Sequence, residues 1–119
     1  MGTTARRDIK ITKGDDFSLV LRMKYEEAGG LLPLDLTGST LTLKLEFSDG
    51  TDLTYTSAGP ELVITDAVNG EATFTLSDQA TDALPDTKFR GRWSFKRTID
   101  GTTTKHIAGS VFLIDWTTT

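Results

Sequence analysis

Apolar residues recur at every second position in several short stretches, and this constrains the fold more than any other feature of the sequence. Between residues 41 and 47, leucine or phenylalanine occupies each odd position, and threonine, lysine or glutamate occupies each even one. Successive side chains of a strand point to opposite faces, so this period of two is typical of a half-buried β-strand. The same period predicts strands at 8–12, 17–25, 71–76, 88–98 and 103–115, with shorter ones at 53–56 and 62–64.

The residues predicted to point into the core share this odd-even pattern. They are Ile9, Ile11, Phe17, Leu19, Leu21, Met23, Tyr25, Leu41, Leu43, Leu45, Phe47, Ala72, Phe74, Leu76, Phe89, Trp93 and Phe95. The chain also contains 21 threonines, and β-branched threonine is favoured on the solvent face of a sheet.

Turn residues separate the strands. Asp100-Gly101 predicts a hairpin, and Asn69-Gly70 predicts a type I′ turn with positive φ at both residues. Residues 26–32 are expected to form a polar loop before Pro33. Strands every eight to twelve residues with turns between them favour an all-β sandwich or barrel.

One segment departs from the strand pattern and predicts a short helix near 77–84. Ser77 is suited to cap its first turn, and Pro85 ends it. Ala80, Ala83 and Leu84 would form its apolar side.

Length and composition exclude several classes of protein. At 119 residues the chain is expected to be a single domain, 1–119, with flexible ends at 1–5 and 117–119. The absence of cysteine and the presence of one histidine exclude disulfides, thiolate sites and multi-histidine metal sites. A net charge of −4 argues against a nucleic-acid partner, and no apolar run predicts membrane insertion.

The residues with catalytic chemistry do not form a recognisable site. Asp35 and Gly38 lie in the octet 33–40, whose composition predicts a turn in which Asp35 accepts backbone N–H groups. A calcium site of Asp15, Asp16 and Asp35 lacks the required loop pattern. His106 is not accompanied by a nucleophile elbow. We therefore predict no catalytic residue, no metal, no cofactor and no enzymatic activity.

The basic residues are concentrated at 88–97, namely Lys88, Arg90, Arg92, Lys96 and Arg97, with Trp93 and Phe95 between them. Three interpretations apply: a solvated sheet face, a contact for an acidic protein, or a nucleic-acid surface. Alternation places the aromatic rings opposite most of the cations, which favours the solvated face over a nucleic-acid surface.

The last strand is apolar on both faces, which is unusual for an antiparallel strand with one solvated side. Either another element covers its second face, or that face contacts another protein. The second face contains Ala108 and the three residues that we predict as a partner interface: Phe112, Ile114 and Trp116.

Several turn segments, taken in order, resemble a known family. They are Lys13-Gly14-Asp15-Asp16-Phe17, residues 34–40, residues 64–71, the helix start at Leu76-Ser77, Asp100-Gly101 and Ala108-Gly109-Ser110-Val111. From about residue 8 to 114 the chain is similar to the immunoglobulin-like domains of tailed-phage virion proteins, such as the N-terminal domain of baseplate upper proteins. One departure is Pro85-Asp86-Thr87-Lys88-Phe89, where a Pro-Gly pair and a tyrosine are expected.

This resemblance implies an immunoglobulin-like antiparallel β-sandwich of about seven to nine strands. It also implies a non-enzymatic structural component of a tailed-phage or prophage virion, made in the bacterial cytoplasm. Its partners would be other virion proteins of the baseplate, tail or head, or further copies of itself as a homo-oligomer. The alternative is a carbohydrate- or host-surface-binding module, for which Trp116, Trp93 or Tyr55 would have to form an exposed platform.

Overall fold

The computed structural model describes residues 5–114. In that range it has eleven strands and one helix. They are β1 (Ala5–Arg6), β2 (Ile9–Thr12), β3 (Phe17–Arg22), β4 (Lys24–Glu27), β5 (Gly30–Pro33), β6 (Thr40–Phe47), β7 (Asp52–Thr56), β8 (Leu62–Asp66), β9 (Glu71–Leu76), α1 (Asp78–Asp82), β10 (Gly91–Ile99) and β11 (Thr102–Ile114).

The strands form two packed sheets and a separate two-stranded ribbon. In the larger sheet β1 and β2 both lie beside β11, followed by β10, β6 and β7. The smaller sheet has the order β3-β9-β8, and the ribbon pairs β4 with β5. Pairing is antiparallel except where β1 and β2 run parallel to β11. The predicted all-β sandwich with one short helix is confirmed. The strand number exceeds the expected seven to nine because β1 precedes the first predicted strand, the predicted strand 17–25 is divided between β3 and β4, and β5 adds another.

The alternating residues of the two sheets fill one core. Every odd residue from Leu41 to Phe47 is buried, as are Ala72, Phe74 and Leu76 of β9. Tyr55 of the larger sheet packs edge-to-face on Phe74 of the smaller one, with 5.0 Å between ring centroids. Burial of these alternate side chains is the main stabilising contribution of the sandwich.

The ribbon corrects two predictions. The stretch 17–25 is not one strand, because the chain leaves β9 at Met23, whose N–H donates to the Gly70 carbonyl at 2.8 Å. Tyr25, predicted to be buried, is 41% exposed in β4. The loop expected at 26–32 is largely strand, and Pro33 is tolerated because it ends β5.

The helix is shorter than predicted, and two of its three predicted apolar residues, Ala80 and Leu84, pack against the core. Ser77 caps it as expected, since its hydroxyl accepts the N–H of Ala80. Thr81 is fully buried, and its hydroxyl donates to the Asp15 carbonyl at 2.8 Å while accepting the Gly14 N–H. Ala83 is exposed, contrary to prediction, because it is the C-cap. The helix is therefore attached to the turn between β2 and β3.

Two other local predictions are wrong. The β8–β9 loop has four residues, and Gly70, but not Asn69, has positive φ, so the turn is not type I′. Strand β10 begins at Gly91 and not at 88, because Asp86 accepts the N–H of Lys88 in a preceding turn. Phe89 consequently lies before the strand and is only half-buried.

The segment 5–12 follows the edge of β11, where β1 and β2 pair with it on either side of a close backbone crossing at Arg7. Ala5, expected to be flexible, pairs with Ile107, while residues 1–4 and 117–119 lie outside the described residues. The Arg7 carbonyl lies over Gly109 and accepts the indole N–H of Trp93 at 2.7 Å. A Cβ at Gly109 would lie 1.8 Å from that carbonyl oxygen. Only glycine leaves room for this crossing.

Gly109→Ala should therefore lower the free energy of unfolding by at least about 2 kcal/mol, because the added methyl must displace the Arg7 backbone. Chemical denaturation measures this directly. Gly59→Ala is the control, since its added Cβ would meet its nearest neighbours at 3.5 Å. Equal effects of the two substitutions would show that the crossing at Gly109 is not a tight contact.

Candidate functional site

The outer face of β11 carries the predicted partner interface as far as the structure describes it. Phe112 is 44% exposed and lies opposite Lys10 of β2. Ile114 is half-buried, and its carbonyl accepts the N–H of Lys13 at 2.8 Å. Trp116 lies outside the described residues. Phe112 is thus an accessible aromatic side chain on a strand whose other face belongs to the core.

A depression of about 410 Å³ lies on the same outer face. Its floor is made by short residues of two neighbouring strands, and basic side chains from four strands surround it. We call it the basic basin, defined by the floor residues Ser94, Ala108, Gly109 and Ser110 and the basic residues Arg6, Lys44, Arg92, Lys96 and Lys105.

Strand pairing brings these basic residues together. Ser94 of β10 lies opposite Lys44 of β6 on one side and Ala108 of β11 on the other. Arg6 of β1 is the next residue in this row, beside Ala108. Three strand spacings separate Lys44 from Arg6, so their Cα atoms are roughly 14 Å apart.

The charge of the basin is strongly positive. Its lining contains five cationic residues and one carboxylate, Glu46. Arg6 is also paired with Asp8 at 3.4 Å, although both side chains are largely exposed. A neighbouring depression of about 380 Å³ is different, because Arg90 and Arg92 are balanced there by Glu46 and Asp52.

The sequence prediction missed the basin as a unit. It grouped the cations of 88–97, but the structure separates them. Arg92 and Lys96 line the basin, whereas Lys88 lies 5.2 Å from the Phe89 ring centroid. The partners Lys44, Lys105 and Arg6 come from distant segments, and only strand order and register show that they are neighbours.

The octet 33–40 forms a corner tied to the larger sheet. Asp35 accepts the Thr37 N–H and hydroxyl, at 2.9 and 2.6 Å. The Thr37 hydroxyl, its N–H and the Arg97 charge outweigh desolvation and lower the pKa of Asp35. The Arg97 guanidinium donates to the Ser39 hydroxyl and the Asp35 carbonyl. Gly38 continues the turn with φ of 76°.

The acidic residues considered for a calcium site do not form one cluster. Asp16 accepts the N–H of Asp78 at the start of α1 and is not grouped with Asp35. Across residues 5–114, no group of three or more aspartate, glutamate or histidine side chains is placed to hold a metal ion. The only helix described there is too short to cross a membrane.

Two residues proposed for a sugar-binding platform belong to the interior. Trp93 is 2% exposed and donates to the Arg7 carbonyl. Tyr55 is half-buried against Phe74, and burial followed by the Glu61 charge raises the pKa of its phenol. The Trp93 ring is therefore too buried to stack on a sugar, and the Tyr55 ring is partly covered by Phe74.

His106 is the extra residue of a β-bulge. Phe95 lies opposite Ile107 and Lys96 lies opposite Lys105, so His106 has no partner residue on β10. Its Nε2 is buried and makes no hydrogen bond with the part of the chain that the structure describes. Burial, and then the nearby Arg97 charge, lower the pKa of His106.

Comparison with known proteins identifies the family. A family model described as "LtfC-like, beta-sandwich domain" matches residues 3–113. The chain belongs to this family. A comparison with curated proteins gave no match. Membership agrees with the resemblance to phage virion domains at a general level, since both indicate a phage-associated β-sandwich domain. The narrower similarity to baseplate upper proteins stays a prediction.

The lowered pKa of His106 predicts a pH-dependent stability. Below its ordinary pKa of 6.5 the unfolded chain gains a proton that the folded chain resists, so stability should fall as the pH falls through about 6.5. Unfolding free energies measured between about pH 7.5 and 5.5 should show this slope, and His106→Gln should reduce it. An unchanged slope in the variant would contradict the assignment, because the chain contains one histidine.

Proposed function

We propose that this chain is a non-enzymatic structural module of a tailed-phage or prophage virion, in the tail or baseplate, where it binds other virion subunits. The observation that carries the proposal is membership of a phage-associated β-sandwich family over residues 3–113. The described residues add a β-sandwich with an exposed aromatic residue, Phe112, on its last strand. A head location, considered from the sequence, remains an outcome of the test.

The proposed contact is the outer face at the end of β11. Phe112 is 44% exposed, which is typical of a side chain available to a partner. Ile114, two residues further along β11, is half-buried. The alternation of the sequence assigns Trp116 to the same face as Phe112 and Ile114. Aromatic residues often dominate the binding energy of protein interfaces. Contact through this face would leave the core between the sheets intact.

Open sheet edges provide a second mode of association. Within the described strands, β7 pairs only with β6, and β8 pairs only with β9. The free backbone groups of such edges can accept a further strand from another subunit. Association could therefore combine apolar contact at β11 with strand pairing, either with another virion protein or with a second copy of this chain.

Location can be tested on particles. Mass spectrometry of purified virions should detect the chain, and immunogold labelling should place it on the tail. Labelling confined to the head would overturn the tail assignment. Consistent absence from washed virions that contain the other structural proteins would contradict the structural role itself.

Phe112→Ser should weaken self-association or binding to a co-expressed neighbouring virion subunit by about fivefold or more, because an aromatic anchor is lost. Multi-angle light scattering follows self-association, and calorimetry follows binding to the subunit. Val68→Ser is the matched control, since Val68 is 66% exposed in the loop between β8 and β9, outside the strands. Equal weakening by both variants, or none by Phe112→Ser, would exclude the β11 face as the contact.

A further inference from the structure

We propose that the basic basin binds the carboxylates of an extended acidic segment of another protein. The inference concerns a second contact, and it does not depend on Phe112 or on a virion location. It rests on the charge of the basin, the spacing of its cations and the absence of an exposed ring among the described residues that line it.

The charge of the basin opposes that of the whole chain. The chain carries −4, yet five of the six charged residues lining the basin are cationic. Like charges on one sheet face repel one another, so an acidic partner would relieve this repulsion. The neighbouring depression shares Arg92 and Glu46 with the basin, but its two arginines are matched in number by two carboxylates, those of Glu46 and Asp52. Charge complementarity therefore selects the basin and an acidic ligand.

The floor of the basin allows a ligand to approach the sheet closely. Ser94, Ala108 and Ser110 are short, and the basic side chains around them are long. A ligand segment can thus lie against the sheet while its acidic groups meet the surrounding ammonium and guanidinium groups. The Ser94 and Ser110 hydroxyls provide further hydrogen-bond donors to carboxylate oxygens.

The spacing of the cations fits an extended polypeptide. Arg92 and Lys96 occupy the same face of β10 four residues apart, so their Cα atoms are separated by roughly 13 Å. Acidic side chains at alternate positions of an extended segment recur every 7 Å or so on one face. Two or three such carboxylates would span the basin, and an orientation along β10 would bring them near successive rows of the sheet.

The lining argues against nucleic acids and sugars. Binding of single strands usually uses exposed aromatic rings on which bases stack. Trp93 is the aromatic residue among those lining the basin, and it is 2% exposed beneath the floor. Its indole N–H is also used, because it donates to the Arg7 carbonyl. The basin therefore offers charges and hydroxyls without a stacking surface.

The first experiment tests which class of charged polymer binds the chain. Fluorescein-labelled poly-L-glutamate should bind the full chain at low salt in fluorescence anisotropy, and binding should weaken as salt rises. Oligothymidylate and a heparin fragment of similar charge serve as competitors. They should displace polyglutamate less effectively than unlabelled polyglutamate does. Failure of polyglutamate to bind, or stronger competition by either polymer, would overturn the proposed ligand.

The second experiment locates the site. Arg92→Glu/Lys105→Glu should weaken polyglutamate binding by about tenfold or more, because two of the five positive charges lining the basin are reversed. Lys24→Glu/Lys88→Glu is the matched control, since it changes the net charge equally at exposed positions that do not line the basin. Circular dichroism verifies folding of each variant. Equal weakening by the two variants would contradict a localised site.

A third measurement needs no substitution. Titration of the wild-type chain with polyglutamate, followed by amide NMR shifts, should move the signals of Ser94, Ala108 and Ser110 most. Amides of the smaller sheet, such as that of Thr73, should move little. Shifts spread over both sheets, or centred on residues near Phe112, would overturn the assignment to the basin even if a variant fails to fold.

Discussion

The crossing of the Arg7 carbonyl over Gly109 determines how the larger sheet is completed. The missing side chain at Gly109 leaves a space on the inner side of β11, and the Arg7 carbonyl occupies it. The Trp93 indole N–H donates to that carbonyl at 2.7 Å, so the polar group of this buried ring is not left without a partner. This contact holds β1 and β2 along one strand, and it places Arg6 beside the basic basin.

The two faces of the larger sheet differ in chemistry. Its inner residues, such as Phe95 and Leu43, are fully buried and contribute to the core. Its outer residues include the exposed aromatic side chain of Phe112, together with Arg92 and Lys105, which line the basic basin. The proposed role in phage particles fits a domain whose fold is maintained by one face of this sheet while residues on the other face are exposed. Association through the outer face would require no rearrangement of the sandwich.

The sequence was sufficient to predict a strand and its buried side chains wherever burial follows from local alternation. The strands at 41–47 and 71–76 were predicted with their inward residues because the pleat fixes which side chains share a face. The Ser77 cap was likewise local. Tyr25 was misassigned because the pattern continues past Met23 while the chain changes partner there. Such a change depends on Gly70 and Leu34, which contact Met23 through their backbones.

The two candidate sites also differ in how far the sequence alone predicts them. Sequence alone determined that this is a β-sandwich and that the last strand carries an apolar outer residue at Phe112, since both follow from periodicity along one segment. Tertiary structure decided that Arg6, Lys44, Arg92, Lys96 and Lys105 surround one depression. Their segments are distant in the chain, and their proximity depends on strand order and register. Those are set by packing across the whole sandwich, which no single stretch of sequence specifies.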